Sequence, residues 1–96
     1  MYVTVRRYEG VSDPSEAARQ VREGFIPIIR EVSGFRAYYW ADAGSGVMIS
    51  TSVFEDQAGA EESNRRAANF VRENLAALLP HPPQITAGEV VAHGAT

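Results

Sequence analysis

The side chains with which this sequence could do chemistry are one asparagine, one serine and a group of aromatic rings. Asn64 stands three and four positions before Ala67 and Ala68 in a stretch of helical periodicity, which puts its amide on the same inward stripe. An inward amide needs a partner, either a neighbouring polar group or a ligand lying in a cleft. Tyr38 and Trp40 project from one face of a β-like run, where they can stack on a planar molecule or fill a core. Ser50 brings a hydroxyl, and Phe54 an apolar ring, to one face of the next such run. Together Tyr38, Trp40, Ser50, Phe54 and Asn64 suit a mostly apolar pocket for a flat, hydrophobic small molecule. Arg6 lies on the opposite face of its strand from Val3 and Val5. It could hold an anionic ligand, but pairing with a carboxylate at the sheet edge is the expectation.

Other chemistries find little support. His81 sits in a proline-rich turn and His93 near the C-terminus, without an acidic cluster, so no metal site is expected. Gly44-Ser45-Gly46 lacks the lysine and following helix of a phosphate loop and reads as a hairpin turn. Ser15, Ser45 and Ser63 have no adjacent histidine to mark a nucleophile. Glu61-Glu62 with Arg65-Arg66 reads as a solvated helix face. There is no cysteine, which removes disulfides and thiolate ligands, and no motif calls for a cofactor. A net charge of −3 argues against nucleic-acid binding. The N-terminal residues lack a signal-peptide core and no apolar run reaches membrane-spanning length, so a cytoplasmic protein is expected. All nine basic residues are arginine, as a GC-rich bacterial coding sequence would give.

The elements that must position these residues are legible from periodicity. Tyr2 to Tyr8 alternates and is rich in β-formers, which predicts the first strand. Asp13-Pro14-Ser15-Glu16 opens a helix with an N-cap, a proline at the first position and an early glutamate. Its stripe of Ala17, Ala18, Val21, Phe25, Ile28, Ile29 and Val32 contains Pro27, which should kink or divide the helix near Gly24. Gly34 caps it, and Phe35 to Asp42 predicts the second strand. The turn Ala43 to Gly46 leads into a third strand, Val47 to Phe54. Asp56 caps a second helix from about Gln57 to Leu79, ended by Pro80, Pro82 and Pro83. Gln84 to His93 predicts the fourth strand. The order β-α-β-β-α-β is the ferredoxin-like motif: an α+β fold with a four-stranded antiparallel sheet and two helices on one face. At ninety-six residues, one domain spanning 1–96 is expected.

One copy looks insufficient to cover this sheet. The third strand carries Val47, Ile49, Thr51 and Val53 on one face, and Met48, Ser50, Ser52 and Phe54 on the other. The second has Phe35, Ala37 and Tyr39 on one side, and Tyr38 and Trp40 on the other. Two helices cover only one face, so a homodimer through the open face is expected.

Several segments carry a family likeness: Val5-Arg6-Arg7-Tyr8, Gly24-Phe25-Ile26-Pro27, Ser33-Gly34-Phe35 leading to Tyr38, Val53-Phe54-Glu55-Asp56, and Gly88-Glu89-Val90. In these the chain resembles the antibiotic-biosynthesis-monooxygenase-like group of the dimeric α+β barrel superfamily, over about residues 2–93. The resemblance implies two sheets packed face to face with helices outside, and a cleft between sheet and helices. It also implies that the Ser50 and Phe54 side of the third strand faces the helices. It points to a cofactor-independent monooxygenase, or to a non-catalytic small-molecule-binding or structural dimer. The group's cofactor-free oxygenases hold a phenolic substrate with an Asn, a Trp and a Tyr. Here those places carry Ser50, Phe54 and Ala60. The haem-degrading relatives need an axial histidine on the second helix, and that segment contains none.

Overall fold

The computed structural model describes Met1–Thr96. Strands β1 (Tyr2–Tyr8), β2 (Phe35–Gly44), β3 (Val47–Phe54) and β4 (Gln84–Glu89) form one antiparallel sheet in the order β2-β3-β1-β4. The first helical arm consists of α1 (Pro14–Gln20), a π-helical turn (Val21–Phe25) and α2 (Ile26–Ile29). The second consists of α3 (Gln57–Phe70) followed by a π-helical turn (Val71–Leu75). This is the ferredoxin-like α+β fold. No helix is long and apolar enough to cross a membrane.

Both helical arms start where the caps say. The Asp13 carboxylate accepts the Glu16 N–H at 3.2 Å, and that of Asp56 accepts the Gly59 N–H at 3.0 Å. Pro27 follows the point at which the first arm divides into α1 and α2, near Gly24 as expected. The turn before it widens to π geometry, with the Ile26 N–H reaching Val21 O, so the missing proline donor is absorbed within a continuous helical path. Gly24 lies in that turn, and a Cβ there would stand 2.8 Å from the Phe70 ring, so the glycine lets the two arms close on each other.

The core lies between the arms and one face of the sheet. Met48, Ser50, Ser52 and Phe54 of β3 are all buried on that side, while Val47, Ile49, Thr51 and Val53 face away and are only half-buried. On β2, a bulge between Phe35 and Ala37 corrects the expected facing. Phe35 pairs with Phe54 and turns to the helix side with Tyr38 and Trp40, leaving Ala37, Tyr39 and Ala41 on the open face. The β2–β3 hairpin closes through Ser45 and Gly46, both at positive φ (54° and 77°), as a two-residue turn with primed twist requires. Strand β4 ends at Glu89, short of the expected His93. It is an edge strand paired only with β1, whose ladder runs out at the Tyr2–Glu89 pair, apart from one further bond from Val90 N–H to Met1 O.

Candidate functional site

Strand β1 lies inside the sheet, between β3 and β4, so its helix-facing side chains sit under both arms with a strand on either side. Those residues are Thr4, Arg6 and Tyr8, all buried, and Arg6 keeps only 1% of its surface exposed. A guanidinium there must find its hydrogen bonds inside. Nη1 donates to Asn64 Oδ1 at 2.7 Å and Nη2 donates to Ser52 Oγ at 3.1 Å. The Thr4 hydroxyl donates to the same Asn64 oxygen at 3.1 Å, and the Phe25 ring lies 6.0 Å from Arg6 Cζ. Arg6 Nε makes no well-formed hydrogen bond.

All of these acceptors are neutral. None of the twelve carboxylates is buried. The ion pairs join Arg7, Arg19, Arg36, Arg65 and Arg66 to surface glutamates, and none includes Arg6. The expected pairing of Arg6 with an edge carboxylate is therefore not what the fold produces. The reason is topological: β1 is an inner strand, and Arg6 points beneath helices whose acidic residues lie on their outer surface.

Aromatic rings pack around the guanidinium. Tyr8 lies against Trp40 with centroids 5.5 Å apart, and Phe25 meets both Tyr38 and Phe70 at the same distance. Burial pushes the Tyr38 phenol up to about 12, with Arg6 and Ser50 acting in the opposite direction. Burial also raises Tyr8, again opposed by Arg6. Both hydroxyls therefore stay protonated at neutral pH. Trp40 Nε1 and Ser50 Oγ, like Arg6 Nε, make no well-formed hydrogen bond.

Arg6 and Tyr8 belong to the walls of two spaces. The inner one is a void of about 10 Å³ among Tyr38, Trp40, Phe25 and Phe70, room for about one water. The outer one is an open cleft of about 330 Å³ between α3, the Pro80–Pro83 turn and β4, bordered by Asn64, Val71, His81 and Ile85. The His81 ring rests on Gly10, where a Cβ would approach Cδ2 to 2.9 Å and where φ is +70°. Glycine at that position makes room for the imidazole.

The five residues singled out from the sequence are thus divided. Asn64 borders the outer cleft, its amide oriented by Thr4 and Arg6 across the sheet–helix interface rather than by nearby backbone. Tyr38 and Trp40 line the inner void. Ser50 and Phe54 are fully buried and border neither space; Phe54 packs edge-on against Phe35 and under Gly59. Ala60 is likewise buried in the core. Sequence reasoning missed Tyr8, Thr4, Ser52 and His81 as neighbours of the cleft and of Arg6. The alternation of β1 placed Thr4, Arg6 and Tyr8 on one face, and the ferredoxin-like strand order puts that face at the middle of the sheet. No group of three or more His, Cys, Asp or Glu side chains is gathered for a metal.

No protein-family model matches the sequence, and no curated protein matches it. Solved structures do match its shape. A protein of unknown function from Nitrosomonas europaea, NE2512, superimposes with a TM-score of 0.77 at 24% identity, covering 99% of this chain and 93% of its own. A monooxygenase from the gene ActVA-Orf6 of Streptomyces coelicolor, crystallised with nanaomycin D, gives 0.71 at 22% identity, covering 99% and 89%. A structure described as an antibiotic biosynthesis monooxygenase gives 0.70 at 11% identity, covering 96% and 100%. At these identities the likeness is one of fold: the chain has the fold of the antibiotic biosynthesis monooxygenases.

Proposed function

We propose that this protein binds a small planar aromatic molecule in the cleft between α3, the Pro80–Pro83 turn and β4, and oxidises it with dioxygen without a cofactor. The observation that carries this reading is the cleft itself. Its volume of about 330 Å³ suits a small ligand, and a few polar groups, Arg6, Tyr8, Asn64, Arg72 and His81, border it among apolar side chains. The shared fold with a monooxygenase crystallised with nanaomycin D supports the same reading.

In the reaction, an electron-rich phenol gives its hydroxyl proton to His81, the imidazole on the lining. The anion then forms a C–O bond with dioxygen at a ring carbon. The resulting peroxide loses water, which carries away the hydroxyl proton and the ring hydrogen. One oxygen atom ends as a ring carbonyl and the other as water, so the ring is oxidised and dioxygen reduced. Tyr8 and Tyr38 cannot serve as the base, because burial keeps them protonated. The protein mainly supplies orientation and exclusion of water. His81→Gln is expected to slow oxygen uptake on a reactive phenol by about 10²-fold while ligand still quenches Trp40, the single tryptophan. An unchanged rate in that variant would remove His81 from the chemistry.

A second reading, a non-catalytic binding dimer, is favoured by one observation. Ser50, Phe54 and Ala60, at the places where the oxygenases hold substrate, are all packed into the core. A panel of phenols and hydroquinones followed by oxygen electrode separates the two: uptake establishes the oxygenase, and Trp40 quenching without uptake the binder.

In either reading we propose a homodimer of barrel domains spanning 1–96, joined through the open sheet face. Rows of paired residues support this: Val3–Val53–Ala37 and Val5–Thr51–Tyr39 run across three strands without a charge. Tyr39 is 64% exposed in the isolated chain.

A further inference from the structure

We propose that the ligand of this cleft is an anion, and that its charged oxygen is the counter-charge of Arg6; this rests on the reading of the cleft as a ligand site. A buried guanidinium without a carboxylate is unusual, because taking the charge from water is recovered only by a close opposite charge and a full set of hydrogen bonds. Arg6 has neither. Its well-formed acceptors are the neutral oxygens of Asn64 and Ser52, the neighbouring Tyr8 and Tyr38 hydroxyls are neutral too, and its Nε–H makes no well-formed hydrogen bond although the residue is 99% buried. No protein group can supply the charge, since every carboxylate lies toward the surface and the two adjacent phenols remain protonated. Of the two spaces that Arg6 borders, the outer cleft is the one large enough for an organic molecule.

The geometry also restricts the form of the anion. Asn64, half-buried at the cleft wall, presents its oxygen to Nη1 and leaves its amide nitrogen free to donate to the same incoming oxygen. The site thus takes one anionic oxygen, a phenolate or a carboxylate, on a flat apolar body that fills the cleft. One neutral amide donor and a desolvated cation would read charge more strongly than they read shape.

Isothermal titration calorimetry at pH 7 on the full chain tests this with matched pairs. 2-Naphthoate is compared with 2-naphthamide, and ionised 2,4-dinitro-1-naphthol with its methyl ether. Each anion is expected to bind about 10- to 100-fold tighter than its neutral partner. Arg6→Met should abolish that preference and Arg6→Lys should retain part of it. The pair that shows the larger preference identifies carboxylate or phenolate as the favoured head group. Equal binding of anion and neutral partner to the wild-type protein overturns the inference and leaves the cleft as a ligand site. Absence of binding by all four compounds overturns both. If the preference survives Arg6→Met and is lost in Arg72→Gln, the exposed arginine on the cleft wall does the recognition and the inference falls. The wild-type ratios alone decide the first two outcomes, whatever the variants' folding.

Discussion

Arg6→Met raises the melting temperature of the ligand-free protein by roughly 5–15 °C. The substitution keeps the length of the side chain among Phe25, Tyr8 and Asn64 but removes a charge that no carboxylate balances. Replacing buried ionic groups by apolar ones of similar volume is commonly neutral or stabilising by about 1–4 kcal/mol. Against this stand two lost hydrogen bonds, at about 1 kcal/mol each. The loss is softened because Asn64 Oδ1 keeps the Thr4 hydroxyl and the Ser52 hydroxyl can rotate to another acceptor. A net gain of about 1–2 kcal/mol corresponds to roughly 4–8 °C per kcal/mol in a domain of this size. Wild type and variant must be melted at one protein concentration, since the proposed dimer would make the midpoint concentration-dependent. A structural arginine would give the opposite sign. A fall of several degrees would mean that Arg6 is retained for the fold rather than for a ligand.

Val53→Asp is expected to convert the proposed dimer to a monomer. Val53 stands on the open sheet face with Val3 on one side and Ala37 on the other, half-buried in the single chain. In a monomer the new carboxylate meets water and costs little. In a face-to-face dimer each copy buries an unpaired charge, a penalty of about 3–5 kcal/mol, which raises the dissociation constant about 10³-fold or more. Sedimentation should then report a mass near 10.5 kDa for the variant and twice that for the wild type. A wild-type mass near 10.5 kDa at every concentration, or a variant still dimeric, contradicts the proposed interface.

How much of this was legible in the chain follows from what each feature depends on. The caps at Asp13 and Asp56, the alternation of Tyr2 to Tyr8 and the Gly-Ser-Gly hairpin are local, and local rules found them. The bulge at Arg36 was not legible, because it arises from the register that β2 must keep with β3 while Phe35 turns inward. The π turns were not legible either. Pro27 announced a disturbance, but whether a helix breaks or widens depends on the partner arm, here Phe70 pressed against Gly24. Asn64 was found for a sound reason, its place on the inward stripe. Arg6 was misread because edge pairing was assumed for a strand that the topology places inside the sheet. Combining the strand order with the alternation of β1 would have put a cation beneath the helices, and the surface placement of every carboxylate would have left it without a partner. His81, read only as a poor metal ligand, was not placed at the cleft because only the chain's return over Gly10 brings the proline-rich turn there.

In the proposed site Arg6 is the group that meets a ligand in the outer cleft. A crystal structure of the protein grown with 2-naphthoate tests that most directly. The expected density places the carboxylate within hydrogen-bond distance of the Arg6 guanidinium and Asn64, with the rings lying along Val71 and Ile85 under the Pro80–Pro83 turn. A naphthoate bound elsewhere, or Arg6 found paired with a carboxylate from the second subunit and the cleft empty, would contradict it.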